Sequence, residues 1–187
     1  MTRELKQSLL VTGLIVVTVT LDQALKLYIR THFALGESVE VTSWFWITFV
    51  ENEGMAFGIK WFSKLLLTLF RIAAVGVLGW YIHRLIYINK VRGSFLTLVS
   101  LVTSGAIGNI IDCVCYGKLF GYAGWFYGRV VDMLYFPLIT NSAGECIFFR
   151  PVFNLADSYI TVSVIVLFLF FRKDIDKSLQ KKCEPSK

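Results

Sequence analysis

The stretch SFLTLVSLVTSGAIGNIID, Ser94 to Asp112, carries no charge until its last residue. A bilayer has a hydrocarbon core about 30 Å thick and takes roughly 20 apolar helical residues to cross, so Ser94 to Ile111 reads as a membrane span that stops at an aspartate. Three more segments qualify. One runs from about Ser8 to Tyr28, uncharged from Gln7 to Leu21 before it reaches Asp22 and Lys26; one from about Ser63 to Ile82, with Arg71 in its middle; and one from about Leu155 to Phe171, opening with Asp157 and closing on Arg172 and Lys173. The expected fold is an α-helical integral membrane protein: four transmembrane helices with a small β-rich extracytoplasmic element, in a single membrane domain over residues 1–187. The outer connections would cover about 29–62 and 112–154, and 172–187 would be a cytoplasmic tail.

Composition agrees. Of 187 residues, 56% are hydrophobic and only 17% charged, against about 25% charged in soluble domains. Sixteen Phe, eight Tyr and five Trp exclude a disordered chain. The net charge of +6 forms no basic face with interleaved aromatics, so no nucleic-acid partner is expected. Cys113, Cys115, Cys146 and Cys183 lack CxxC spacing, and His32 and His83 lie far from them, so no metal site is expected. No small-residue cleavage site follows the first apolar run, which reads as a retained span.

Lys and Arg near span ends stay on the cytoplasmic side. Arg3 and Lys6 at the start, Arg84, Lys90 and Arg92 between spans two and three, and Arg172, Lys173, Lys177, Lys181, Lys182 and Lys187 in the tail would all share one side of a four-span protein. Both termini are then cytoplasmic. The same topology gathers Asp22, Asp112, Asp132 and Asp157 at the outer surface, where an ionisable group beside hydrocarbon is a functional candidate. Val39 to Val50 (VEVTSWFWITFV) reads as one or two short strands, with Trp44, Phe45 and Trp46 suited to a membrane interface or to a substrate-contacting surface.

Asp132 and Asp157 lie in GRVVDM and FNLADS. Two neighbouring carboxyl groups cannot both ionise cheaply, so one can act as base while the other keeps a proton to donate. Amide hydrolysis without a serine, cysteine or metal needs such a pair. Spacing alone leaves helix capping as the alternative, because Asn154, Asp157 and Ser158 stand where span four begins.

Taken with these aspartates, LDQALK (Leu21 to Lys26), ENEGMAFG (Glu51 to Gly58), SGAIGNIID (Ser104 to Asp112), GRVVDM and FNLADSYI (Phe153 to Ile160) resemble, in order, the motifs of the bacterial lipoprotein signal peptidases, or signal peptidase II. That resemblance implies a membrane aspartic endopeptidase without a cofactor. It would remove the signal peptide from diacylglyceryl-modified prolipoproteins just before the lipidated cysteine, at the outer face of the cytoplasmic (inner) membrane. Asp132 and Asp157 match the catalytic dyad. Asn154 and Ala156 match the active-site signature beside Asp157, Asp22 and Lys26 the DQxxK motif, Asn52, Gly54 and Ala56 the NxGxAFG turn, and Gly105, Gly108, Asn109 and Asp112 the GGxxGNxxDR segment. The implied partners are a lipid-modified prolipoprotein and membrane lipids, with the enzyme acting as a monomer.

The sequence departs from the pattern at Ser104, for glycine, and at Cys113, for arginine. Without that arginine, Lys118, Arg129 or Arg150 is the expected partner of Asp112. Arg71, whose mid-span charge costs on the order of 2.5 to 3.5 kcal/mol on insertion scales, should face the bundle interior or snorkel, in a hydrogen-bonding role. A disulfide among Cys113, Cys115 and Cys146 is possible on an oxidising side, with Cys183 reduced. Gly117 to Gly128 (GKLFGYAGWFYG) reads either as a lid over the site or as an interfacial anchor. The rival functions are a transporter, whose relay acids should line a path near the midplane, and a noncatalytic scaffold with surface carboxylates.

Overall fold

The computed structural model describes residues 1–53, 64–89, 91–140, 146–148 and 151–179. Gly54, Ala56, Ser63, Lys90, Arg150, Lys181, Lys182, Cys183 and Lys187 lie outside the described residues, as does the side chain of Cys146.

The chain runs α1 (Arg3–His32), β1 (Ser38–Thr42), β2 (Phe45–Asn52), α2 (Lys64–Arg84), α3 (Gly93–Ile111), a one-turn α4 (Gly117–Leu119), β3 (Val130–Tyr135), β4 (Ile139–Thr140), β5 (Cys146–Phe148), α5 (Leu155–Phe170) and α6 (Arg172–Leu179). By length and apolarity α1, α2 and α3 can each cross a membrane, and the count rises to four if α5 and α6, which meet at 88°, are taken as one broken span. Side chains such as Val16, Phe70, Val77, Val162 and Phe168 point outward, as helices in lipid require.

The third span is longer than its sequence indicates. After Ile111 the helix continues through a π-helical turn, Asp112–Tyr116, into α4, so Asp112 lies within a helix rather than at its end. Single π turns interrupt α-helices mostly at functional positions.

Helix α3 is the centre of the bundle, touching α1, α2 and α5. Its buried residues Ser100, Thr103, Ser104, Gly105 and Gly108 are small, and small residues let helices approach where no hydrophobic effect drives them together. A Cβ at Gly105 would lie 2.4 Å from the Ala156 carbonyl oxygen on α5, and one at Gly108 would lie 2.6 Å from Asp22 Oδ2 on α1. The Ser104 hydroxyl donates to the Leu101 carbonyl at 3.0 Å, which accommodates the departure from glycine there.

One end of the bundle collects the basic segments. Arg3 donates to the Val91 carbonyl, Asn89 to that of Ser178, and Arg92 faces Asp174 at 4.0 Å. At the other end β1, β2 and β3 form an antiparallel sheet in that order. The strands expected in Val39 to Val50 are β1 and β2. The sheet rests on the bundle through Ile29, Phe49, Tyr116, Val131 and Met133.

Candidate active site

Strand β3 carries Asp132 between two neighbours. On one edge Asp132 stands opposite Val50 of β2; on the other, Leu134 bridges to Phe153, with Leu134 donating to the Phe153 carbonyl at 2.7 Å and Phe153 donating back at 3.0 Å. That bridge sets Asn154, the next residue, beside the strand as α5 begins. Asn154, not either aspartate, is the N-cap: its Oδ1 accepts from the Asp157 backbone N–H at 2.8 Å. Helix capping therefore explains Asn154 and leaves the two carboxylates unexplained.

Asn154 also donates through Nδ2 to Asp132 Oδ1 at 2.6 Å and to Asn109 Oδ1 at 3.1 Å, and Asn109 Nδ2 donates to Asp157 Oδ1 at 2.8 Å. Two asparagines thus tie Asp132 and Asp157 into one network. Asn52, at the end of β2, donates to Asp132 Oδ2 at 3.2 Å. Asp132 is only 2% exposed. Burial, and after it the charge of Asp157, pushes the Asp132 carboxyl up to about 7, against the opposing pull of Asn52 and Asn154.

Beneath this layer lies Lys26, fully buried. Its ammonium reaches Asp22 Oδ2 at 2.9 Å, Asp112 Oδ2 at 2.8 Å and Asn109 Oδ1 at 2.9 Å. Three donors meet three acceptors, the condition for holding a charge away from water. Lys26 is the partner of Asp112 that was sought in Lys118, Arg129 or Arg150. Lys118 is exposed and Arg129 is committed to Glu51 at 3.0 Å; Lys26 reaches Asp112 because α1 and α3 pack side by side. Asp22 Oδ1 accepts from the Ala156 N–H at 3.0 Å, so α1 satisfies one of the free donors in the first turn of α5. Ala156 is fully buried.

Two contributors lie inside quoted motifs without having been singled out as site residues. Gln23, the glutamine of the DQxxK motif, donates through Nε2 to Asp112 Oδ1 at 2.9 Å and the Gly108 carbonyl at 3.1 Å, while its Oε1 accepts from Tyr116. Glu51 binds both Arg30 and Arg129. Burial alone would raise its carboxyl, but the two arginines hold it below the ordinary carboxylate range. The Arg30 guanidinium also lies 4.1 Å from the Phe120 ring centre.

The Gly117–Gly128 stretch is fastened along its length. Phe126 N–H donates to the Val114 carbonyl, Gly128 N–H to that of Cys113, Arg129 N–H to the Tyr122 hydroxyl, and Thr68 of α2 to the Phe126 carbonyl. With Trp125 and Tyr127 exposed, it has the form of an interfacial anchor more than of a free lid. Cys113 and Cys115 are free thiols. Arg71 donates to Cys113 Sγ at 3.0 Å, the hydrogen-bonding role its position called for.

Beside Asp157 opens a cavity of about 540 Å³ with largely apolar walls, among them Leu134, Phe136, Phe153, Thr161 and Val162. Val162 belongs to the exposed face of α5. Phe136 stacks on Phe153 and Phe45, with ring centres 5.6 and 5.0 Å apart.

A helical membrane bundle with a buried carboxylate, Asp132, linked at one end to a half-buried one, Asp157, that borders an apolar cavity has the arrangement of a membrane-embedded hydrolase. Over residues 14–172 the chain matches the family described as Signal peptidase (SPase) II. It is 41% identical over 202 residues to the lipoprotein signal peptidase of Porphyromonas gingivalis, covering 95% of this chain and 89% of that one. It is 30% identical to that of Streptococcus pneumoniae, covering 91% and 97%. Two solved bacterial membrane enzymes superpose with TM-scores of 0.65 and 0.64 at 28% and 30% identity, covering 94% and 88% of this chain and 94% and 93% of theirs. The chain belongs to the signal peptidase II family. It is a peptidase of a bacterial membrane that removes signal peptides from lipoproteins, which sets aside the transporter and scaffold readings.

Proposed function

We propose that the peptidase is of the aspartic type, with Asp132 and Asp157 as its catalytic dyad, and that it cleaves just before the diacylglyceryl-modified cysteine. The observation that carries this reading is the hydrogen-bonded link from Asp132 through Asn154 and Asn109 to Asp157. Asp132, raised by burial and by Asp157, is the member suited to hold the proton. Asp157, which accepts from Asn109 and borders the open cavity, is the member placed to act as the base.

In the reaction, Asp157 takes a proton from a water and the resulting hydroxyl adds to the scissile carbonyl carbon. Asp132 gives its proton to the carbonyl oxygen. On collapse the C–N bond breaks, the proton held by Asp157 passes to the leaving amine of the lipidated cysteine, and Asp132 recovers its proton from the hydroxyl oxygen. Asn52 and Asn154 orient Asp132, and Lys26, Asp22, Asp112 and Gln23 fix the floor on which Asn109 stands. Asn52 ends β2 beside Asp132, and Gly54 and Ala56, which match the same NxGxAFG motif, are assigned with it to substrate support. Gly105, Gly108 and Ala156 contribute by letting α1, α3 and α5 close on one another.

The cavity beside Asp157 and the lipid-exposed face of α5 support lateral access for a substrate held in the bilayer by its acyl chains. The site then lies at the outer face of the inner membrane with both termini cytoplasmic, supported by the segregation of basic segments at the opposite end of the bundle. The enzyme works as a monomer among membrane lipids.

Purified protein in detergent, given a lipidated prolipoprotein, tests the dyad. Asp132→Asn and Asp157→Asn should each lower cleavage by roughly 10²- to 10⁴-fold, the range for loss of a general acid or base, while the protein stays folded. Wild-type processing by both variants would exclude the dyad, and equal cleavage of an unlipidated substrate would exclude the lipid requirement.

A further inference from the structure

Arg71 is the single charged residue between Lys64 and His83 in α2, and its place in the fold is specific. Lys64, Thr68 and Arg71, spaced i, i+4 and i+7, share one face of the helix. Thr68, 1% exposed, donates to the Phe126 carbonyl at 3.2 Å. One turn further on, the Arg71 guanidinium donates to Cys113 Sγ at 3.0 Å. This face of α2 is therefore fitted to the π-helical turn Asp112–Tyr116 and to the loop closing behind it.

The contact brings the permanent cation of an apolar helix to a turn on which the site depends. Cys113 follows Asp112, which accepts from Lys26, Gln23 and the Val131 N–H, and Lys26 in turn holds Asn109, the donor to Asp157. The motif to which this segment is similar has an arginine after the aspartate, and here that position is a cysteine. The guanidinium arrives instead from the neighbouring helix, with its end at the cysteine sulfur.

We infer that Arg71 supplies from α2 the guanidinium that position 113 lacks, and that it acts as a positioning residue for the Asp112 turn and so for the Lys26–Asn109 floor of the site. This rests on the dyad proposed above. A cation shared across a helix pair in this way can be transplanted, because Arg71 and a side chain at 113 reach the same space.

Cleavage kinetics of Arg71→Leu, Cys113→Arg, the double variant and Arg71→Lys test it. Arg71→Leu should lose about tenfold or more in kcat, the weight of one hydrogen bond from a charged donor, with little change in KM. Cys113→Arg alone should also be impaired, because it sets two guanidinium groups against each other. The double variant should regain most of the activity lost by Arg71→Leu, and Arg71→Lys only part, since an ammonium lacks the planar fork. If Arg71→Leu fails to accumulate, recovery of both folded protein and cleavage in the double variant reads out the same exchange. Wild-type kcat in Arg71→Leu, or a double variant no better than Arg71→Leu, would overturn the inference. An active Asp157→Asn control would instead remove the dyad on which it rests.

Discussion

Asn154 does three things at once: it caps α5 by accepting from Asp157, donates to Asp132, and donates to Asn109. A single side chain therefore holds the Asp132 carboxyl and the Asp157 backbone at the same helix start, while Asn109 holds the Asp157 carboxyl. Asp132 then governs the pH response. In the folded protein it keeps its proton up to about pH 7, whereas in the unfolded chain it would release it near the ordinary value of 3.8. Between those limits the folded state binds more protons than the unfolded one, so stability falls as pH rises through this window. The proton needed by the carbonyl oxygen is kept through this window and leaves only above about pH 7. A pH–rate profile should show kcat declining above about pH 7, and Asp132→Asn should flatten this part of the stability–pH curve; a kcat still rising at pH 8 would contradict the assignment. The aspartates were visible in the sequence because acids are rare in an apolar chain. The identity of the Asp112 partner was not, since Lys26 is more than eighty positions away and meets it only through helix packing.

At the scale of elements, α3 against α5 is the decisive contact. Gly105 meets the Ala156 carbonyl, a backbone group that cannot swing aside. Gly105→Ala should therefore lower the thermal midpoint of the purified protein, by the equivalent of about 1–3 kcal/mol of overpacking, and cleavage with it, because α5 carries Asp157. An unchanged midpoint and rate would show that the helices are not locked at this point. The glycines could be read from sequence as packing residues, but their partner helix could not. Strand β3 has no signature in the sequence, for a different reason. Val130, Val131, Asp132 and Met133 are all buried, and a strand covered on both faces has no alternation to detect. The π-helical turn has no sequence signature either, because a carboxylate at Asp112 resembles the end of a span unless its buried cation, Lys26, is known.

For the whole molecule, segregation of charge sets the architecture. Basic segments meet at one end, and the sheet and the carboxylate network at the other. Single cysteines introduced at Glu40, exposed on β1, and at Lys173, exposed on α6, should be distinguishable with a membrane-impermeant thiol reagent. Glu40→Cys should react from the outer side of intact inner membranes, and Lys173→Cys only after permeabilisation; the reverse pattern would invert the proposed orientation. The sequence by itself determined the membrane class, the gathering of aspartates and the family, because transfer of apolar residues into lipid is a local property and short motifs keep their order along the chain. Only the tertiary structure decided which two amides join Asp132 to Asp157, that Lys26 pairs with Asp112, and that Arg71 meets Cys113. Those are contacts between helices and strands far apart in the chain, fixed by how closely small residues let the elements approach.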